Sequence, residues 1–186
     1  MTIRLLGLSG SLRARSYNTA LLRASAALLP DGVQLDIFPL HPIPMYNGDI
    51  DNDEDRPQAV VDLQTQARAA DGLLMAMPEY NYGVPGVLKN AIDWLSRPAF
   101  RSPLAAKPVG IMGASPGSSG TMRGQEQLKL NLMATLARPF PHPGVAVRGC
   151  HEFFDDDMVL TDEKTRQFIT NYLDGLRGWI MQLQKG

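Results

Sequence analysis

Apolar positions along this chain follow two rhythms. Short continuous runs of β-branched residues and leucine occur at Ile3 to Leu8, Val33 to Phe38, Gly72 to Met77, Pro108 to Gly113 and Val145 to Val147, the last being the weakest. Between them lie longer stretches of helical period: Tyr17 to Leu29, Pro57 to Ala70, Pro85 to Ser96, Thr121 to Ala137 and Asp162 to Gln184. This alternation predicts βαβ units and a parallel sheet. The run Leu73-Leu74-Met75-Ala76-Met77 is apolar at every position rather than at every second one, which predicts a strand covered on both faces. The expected fold class is therefore α/β, a doubly wound five-stranded parallel sheet with helices on both faces, formed by residues 1–186 as a single unit without repeats or linkers. Pro30-Asp31-Gly32 stops the first helix, and Pro85 suits the first turn of the third, where its missing N–H is not needed.

Two stretches break the rhythm. Leu40 to Arg56 carries Pro42, Pro44 and the acidic run Asp49, Asp51, Asp53, Glu54, Asp55; Pro139 to Asp157 carries three prolines and Asp155-Asp156-Asp157. Acidic runs of this kind read as solvated loops. Across all 186 residues, 18 Lys and Arg stand against 19 Asp and Glu, so no excess of positive charge is available to hold a nucleic-acid backbone or an anionic membrane. The apolar start is too short for a signal-peptide core, and no stretch approaches the roughly 18 uninterrupted apolar residues of a membrane span. A soluble, cytoplasmic protein is expected, without nucleic-acid or membrane partners.

In a doubly wound sheet, ligands bind at the carboxyl ends of the strands where the strand order reverses, so the loops after strands one, three and four carry the information. After the first comes Ser9-Gly10-Ser11-Leu12-Arg13-Ala14-Arg15-Ser16-Tyr17-Asn18 and a helix start. Helix N–H groups and dipole, hydroxyls, an amide and a guanidinium suit a phosphomonoester. The spacing is neither G-x-G-x-x-G nor G-K-[ST], which removes a Rossmann dinucleotide and a nucleoside triphosphate. A plainer reading makes Ser16 or Asn18 an ordinary helix cap and Arg13 a surface residue.

After the third strand, Pro78-Glu79-Tyr80-Asn81-Tyr82-Gly83-Val84-Pro85-Gly86 forms a stiff loop with two aromatics. It offers backbone groups and an amide to the edge of a planar heterocycle, with a tyrosine ring against its face; a tight turn with solvated tyrosines is the alternative. After the fourth, Gly113-Ala114-Ser115-Pro116-Gly117-Ser118-Ser119-Gly120-Thr121 permits close backbone approach, and gains interest only from bordering the same cleft.

Other chemistries find little support. No G-x-S-x-G occurs, and His142 and His151 lie in irregular sequence, which argues against a serine hydrolase. His41, His142, Cys150, His151 and Asp155 to Asp157 lack metal-ligand spacing. The single cysteine reads as a buried thiol.

Taken together, Gly10-Ser11-Leu12-Arg13 with Ser16 and Asn18, the Pro78-Glu79-Tyr80-Asn81-Tyr82-Gly83 loop with Pro85, Gly86, Leu88, Lys89, Asn90, Asp93 and Trp94, and Gly113-Ala114-Ser115 resemble the NADPH-dependent FMN reductase family, in particular its chromate, quinone and azo-dye reductase members. Pro44-Met45-Tyr46-Asn47 resembles a family segment too, and the similarity runs over residues 3–137. The resemblance implies a flavodoxin-like fold, noncovalent FMN, and a homodimer or homotetramer that completes the site. It implies that Ser11, Arg13, Ser16 and Asn18 hold the FMN phosphate, that Pro78, Glu79, Tyr80, Asn81 and Gly83 line the isoalloxazine, and that Ser115 borders the ring or the ribityl chain. The implied reaction is ping-pong: NADPH or NADH reduces FMN, and a small-molecule acceptor such as a quinone, azo dye or chromate is reduced next. No side chain is required as nucleophile or general acid, so no catalytic residue is expected. The competing readings are a nonenzymatic electron carrier of the flavodoxin type and an FMN-binding regulatory module.

Overall fold

A computed structural model describes residues 2–185; Met1 and Gly186 lie outside the described residues. Strands β1 (Ile3–Ser9), β2 (Val33–Phe38), β3 (Gly72–Ala76), β4 (Pro108–Ser115), β5 (Arg138–Pro139) and β6 (Val145–Arg148) form one parallel sheet in the order β2-β1-β3-β4-β5, with β6 also on β4. The helices are α1 (Tyr17–Ala27), α2 (Gln58–Ala69), α3 (Gly86–Leu95), α4 (Met122–Ala134) and α5 (Glu163–Leu183). Successive side chains of each inner strand feed opposite cores. Leu6, Leu8, Leu73 and Met75 pack with α2, α3 and α4 through Leu63, Leu88, Trp94 and Leu128. Leu5, Leu74, Ala76 and Met112 pack with α1 and α5 through Leu21, Leu22, Leu176 and Ile180. This double coverage is the reason the inner strands read as unbroken apolar runs.

The expected fifth strand is divided. β5 pairs with β4 only at Pro108 and Val109, and β6 pairs with it from Met112 to Ser115, so the sheet has six strands rather than five. Residues 140–144 bow out between the two, where Pro141 and Pro143 supply no N–H for a ladder. The gap leaves the Ile111 N–H without a strand partner, and Tyr172 Oη, reaching from α5, accepts it at 2.7 Å. Gly110 lets the ring come this close, since a Cβ there would stand 2.7 Å from Leu176 Cδ2 and 3.2 Å from the Tyr172 hydroxyl. Phe140 and His142 pack edge-on against Tyr172, with ring centroids 5.5 and 5.0 Å away. Burial, reinforced by Lys129, lowers the His142 pKa, and its Nδ1 accepts the Gly144 N–H at 3.0 Å. That histidine is structural.

α4 is shorter than the period predicts, ending at Ala134 rather than Ala137. Leu136 turns into the left-handed region at φ 64, and its carbonyl accepts the Ala106 N–H, which redirects the chain into β5. Thr121 also differs from an ordinary cap: it sits at φ 78 and makes no side-chain cap bond.

Replacing Tyr172 with Phe keeps the ring and removes the acceptor from a buried N–H. We expect a loss of about 1–3 kcal/mol in urea denaturation, with the far-UV spectrum unchanged.

Candidate functional site

β1 lies between β2 and β3, so the connections from β1 and β3 leave in opposite directions and a crevice opens at their carboxyl ends. There the loop after β1 and the loop after β3 enclose an open cleft of about 430 Å³, lined by Gly10, Ser11, Leu12, Arg13, Tyr80, Pro85, Gly86 and Val87. Its lining offers a hydroxyl, a guanidinium and a half-exposed phenol ring, and contains no carboxylate, histidine or cysteine. Gly10 sets how closely the two loops approach: a Cβ there would stand 3.2 Å from Met77 Cβ and from Pro85 Cγ.

Of the residues singled out in the sequence, Ser11, Arg13 and Tyr80 line this cleft. Ser16 is the N-cap of α1, its Oγ accepting the Thr19 N–H at 3.2 Å. Asn18 is buried and fully engaged elsewhere. Its Oδ1 accepts the Ala114 N–H at 2.9 Å and its Nδ2 donates to the Ala114 carbonyl at 3.0 Å, which ties the first turn of α1 to the end of β4. The Ser115 hydroxyl accepts the Gly117 N–H at 3.1 Å and does not line the cleft.

The loop after β3 is a two-residue hairpin. Tyr80 and Gly83 exchange both backbone hydrogen bonds, at 3.3 and 2.9 Å, around Asn81 at φ 51 and Tyr82 at φ 62. Two positive φ values make the primed turn that matches strand twist, and asparagine accepts that conformation more readily than tyrosine. Pro78 leads into this hairpin from β3. Glu79 turns away from the cleft, and its carboxylate accepts the Gly124 N–H at 2.9 Å, capping α4 in place of Thr121.

Sequence reasoning passed over two supporting residues. The His41 Nε2 lies 3.1 Å from the Leu12 carbonyl and must donate to it, since a carbonyl only accepts; this fastens the loop after β1. Gln127 of α4 accepts the Val84 N–H at 2.7 Å. Neither carried a local signal, because each acts on backbone far away in the chain. The Pro44 to Asn47 segment is held on α3, where Asn90 Nδ2 and Trp94 Nε1 both donate to the Pro44 carbonyl, at 2.8 and 2.9 Å.

Among the described residues no group of three or more His, Cys, Asp or Glu is placed to hold a metal, and no helix is long and apolar enough to cross a membrane. Cys150 is buried, and burial pushes its thiol up to about 11, the opposite of an activated nucleophile.

Comparison with known proteins decides the family. Residues 3–152 match the NADPH-dependent FMN reductase family. The chain belongs to that family. An NAD(P)H-dependent FMN reductase of Pseudomonas aeruginosa is 42% identical over 182 residues, covering 98% of this chain and 97% of the relative. A 2-hydroxy-1,4-benzoquinone reductase of a Burkholderia species is 33% identical over 180 residues, covering 97% of each. Among solved structures, the flavoenzyme NAD(P)H:acceptor oxidoreductase FerB of Paracoccus denitrificans superposes with a TM-score of 0.88 at 30% identity, over 97% of this chain and 98% of that one. The flavodoxin-like fold, membership of an oxidoreductase family, and FMN and NAD(P)H as cofactor and electron donor follow for this chain. Enzymatic function displaces the carrier and regulatory readings.

The paired hydrogen bonds between the Asn18 amide and the Ala114 backbone predict a stability role. Asn18→Ala should cost about 2–4 kcal/mol in thermal or urea unfolding, since it leaves a buried N–H and carbonyl unpaired.

Proposed function

We propose that this chain is an NAD(P)H:quinone oxidoreductase working through FMN by ping-pong kinetics, with azo dyes and chromate as further acceptors. One observation carries the reading: at the switch point of the sheet, the amino terminus of α3 and a half-exposed tyrosine line an open cleft whose lining holds no carboxylate, histidine or cysteine. Such a site binds and orients, and leaves the redox step to a cofactor.

The residues present fit FMN at both ends. In the first turn of α1, Ser16 Oγ takes the Thr19 N–H, which leaves the Tyr17 and Asn18 N–H groups to point at an anion. The Ser16 oxygen is already an acceptor there, so its proton is free to donate to a phosphate oxygen. Ser11 and Arg13 close the phosphate from the cleft side, and Asn18 holds α1 in place through Ala114. At the other end the backbone of Pro78 to Gly83 meets the ring edge, and Tyr80 forms a wall beside the ring. Glu79 and Asn81 shape that loop rather than touch the ring with their side chains. Ser115, one residue past the carbonyl that Asn18 grips, would border the ribityl side from outside the cleft lining.

When bound, FMN supplies the two-electron redox centre that couples nicotinamide oxidation to acceptor reduction. An open cleft gives donor and acceptor room to reach the same flavin face in turn, which supports the ping-pong reading and a broad choice of acceptor. Quinones are the acceptor class assigned first, since relatives 33% and 34% identical to this chain are quinone reductases. We further propose that a second copy packs against the outer face of α4 and the turn that follows it, where Leu130, Met133 and Leu136 are 67%, 60% and 50% exposed. A homodimer or homotetramer built there, in the cytoplasm where reduced nicotinamide is made, is the working form.

The visible spectrum of the purified protein tests this. An oxidised-flavin band should bleach on anaerobic addition of NADPH or NADH and return when a quinone is added. Binding without bleaching would favour a carrier, and failure to take up FMN on reconstitution would sink the assignment. In the same assay Arg13→Ala should weaken FMN binding about tenfold, the value of one charge-assisted contact, with no loss of melting temperature in the flavin-free protein.

A further inference from the structure

Three contacts from the amino-terminal half of α4 converge on the Tyr80–Gly83 hairpin. Just before the hairpin, the Glu79 carboxylate accepts the Gly124 N–H. Just after it, the Val84 N–H donates to Gln127 Oε1 at 2.7 Å. At its tip, the Arg123 guanidinium lies over the Tyr82 ring, 4.3 Å from the centroid. Residues 123 and 127 are four apart and share one face of the helix. The hairpin is thus gripped at both stems and at the turn.

It needs that grip. A single ladder pair does not sustain a hairpin in water, and this one carries a tyrosine in the left-handed region, a conformation that a residue with a Cβ adopts only under constraint. The Tyr80 and Tyr82 rings are 51% and 67% exposed, so burial does little to hold them. Among the three contacts, the one from Gln127 has the least ambiguous chemistry. A backbone N–H only donates, so the amide oxygen must face Val84 and the amide NH₂ must point away from it. Gly83 makes room: a Cβ there would stand 2.9 Å from Gln127 Oε1.

We propose that Gln127 is a positioning residue for the flavin-facing loop. By holding the Val84 N–H it sets the orientation in which the Tyr80–Gly83 backbone meets the ring edge and in which Tyr80 walls the cleft. The inference rests on the FMN reading above, and concerns a residue outside the cleft lining. Its action is indirect, through the backbone, and involves no bond making or proton transfer.

Gln127→Ala and Gln127→Glu, compared with the unaltered chain, test it. The carboxylate of the Glu variant keeps the acceptor and loses the NH₂ group. The Ala variant should raise the FMN dissociation constant and the quinone KM about five- to tenfold, the effect of one lost hydrogen bond, and should blur the vibronic shoulders of the bound-flavin band. The Glu variant should restore all three to within about twofold of the unaltered chain. Three results would overturn the proposal: an Ala variant indistinguishable from the unaltered chain, a Glu variant as impaired as Ala, or a lowered melting temperature with an unchanged bound-flavin spectrum. If the unaltered chain takes up no flavin, the functional assignment fails separately. The clamp is then read by hydrogen exchange at the Val84 amide of the flavin-free protein, which must quicken at least about fivefold in the Ala variant and not in Glu.

Discussion

The parallel pairing of β1 with β3 fixes how close two functional loops come to each other. The ladder from Leu5 opposite Gly72 to Ser9 opposite Ala76 continues one step further, where the Gly10 N–H donates to the Ala76 carbonyl at 2.8 Å. Only then do the two chains part, one toward α1 and the other toward α3. At the point of parting Gly10 rests on Met77 and Pro85. Any side chain there would press either on Met77, which is fully buried, or on the proline that begins α3. The cleft is therefore a property of the sheet, inherited from its register, and the loops only furnish it.

That division separates residues that face the cleft from residues that hold the walls. Ser11, Arg13 and Tyr80 belong to the first kind. Asn18, Glu79, His41 and Gln127 belong to the second, each spending its polar atoms on a backbone group of another element. Rigid support of this sort is what a cofactor enzyme asks of its protein, because the chemistry belongs to the cofactor and the protein contributes orientation and surroundings. It also explains how an irregular loop with two residues at positive φ can present a constant surface.

Much of the fold was legible because the inner strands are buried on both faces and announce themselves as unbroken apolar runs. The helices were equally plain, their ends displaced by up to three residues. The loops after β1 and β3 stood out by composition, and the resemblance supplied the identity of the cofactor, which no spacing of residues gives. What escaped the sequence depends on long-range contacts. Asn18 looks like a helix-start amide until Ala114, 96 residues away, takes both of its polar ends. Thr121 has the composition of a cap, yet its backbone is left-handed, and Glu79 caps in its stead. The divided fifth strand was hidden because Val145 to Val147 is short and because the atom that closes the gap belongs to Tyr172, 61 residues from Ile111.

That division has a bearing on how copies of the chain meet. An outer strand ordinarily exposes a row of N–H and carbonyl groups that a strand from another molecule can extend. Here the margin beyond β4 holds two residues of β5, a proline-bearing bow and four residues of β6. Pro139, Pro141 and Pro143 have no proton to give to an added strand, and inside the gap the Tyr172 phenol takes the Ile111 N–H of β4. This side therefore offers an added strand only a short and broken row of partners. An interrupted margin of this kind resists the strand-by-strand extension that a long, flat edge invites.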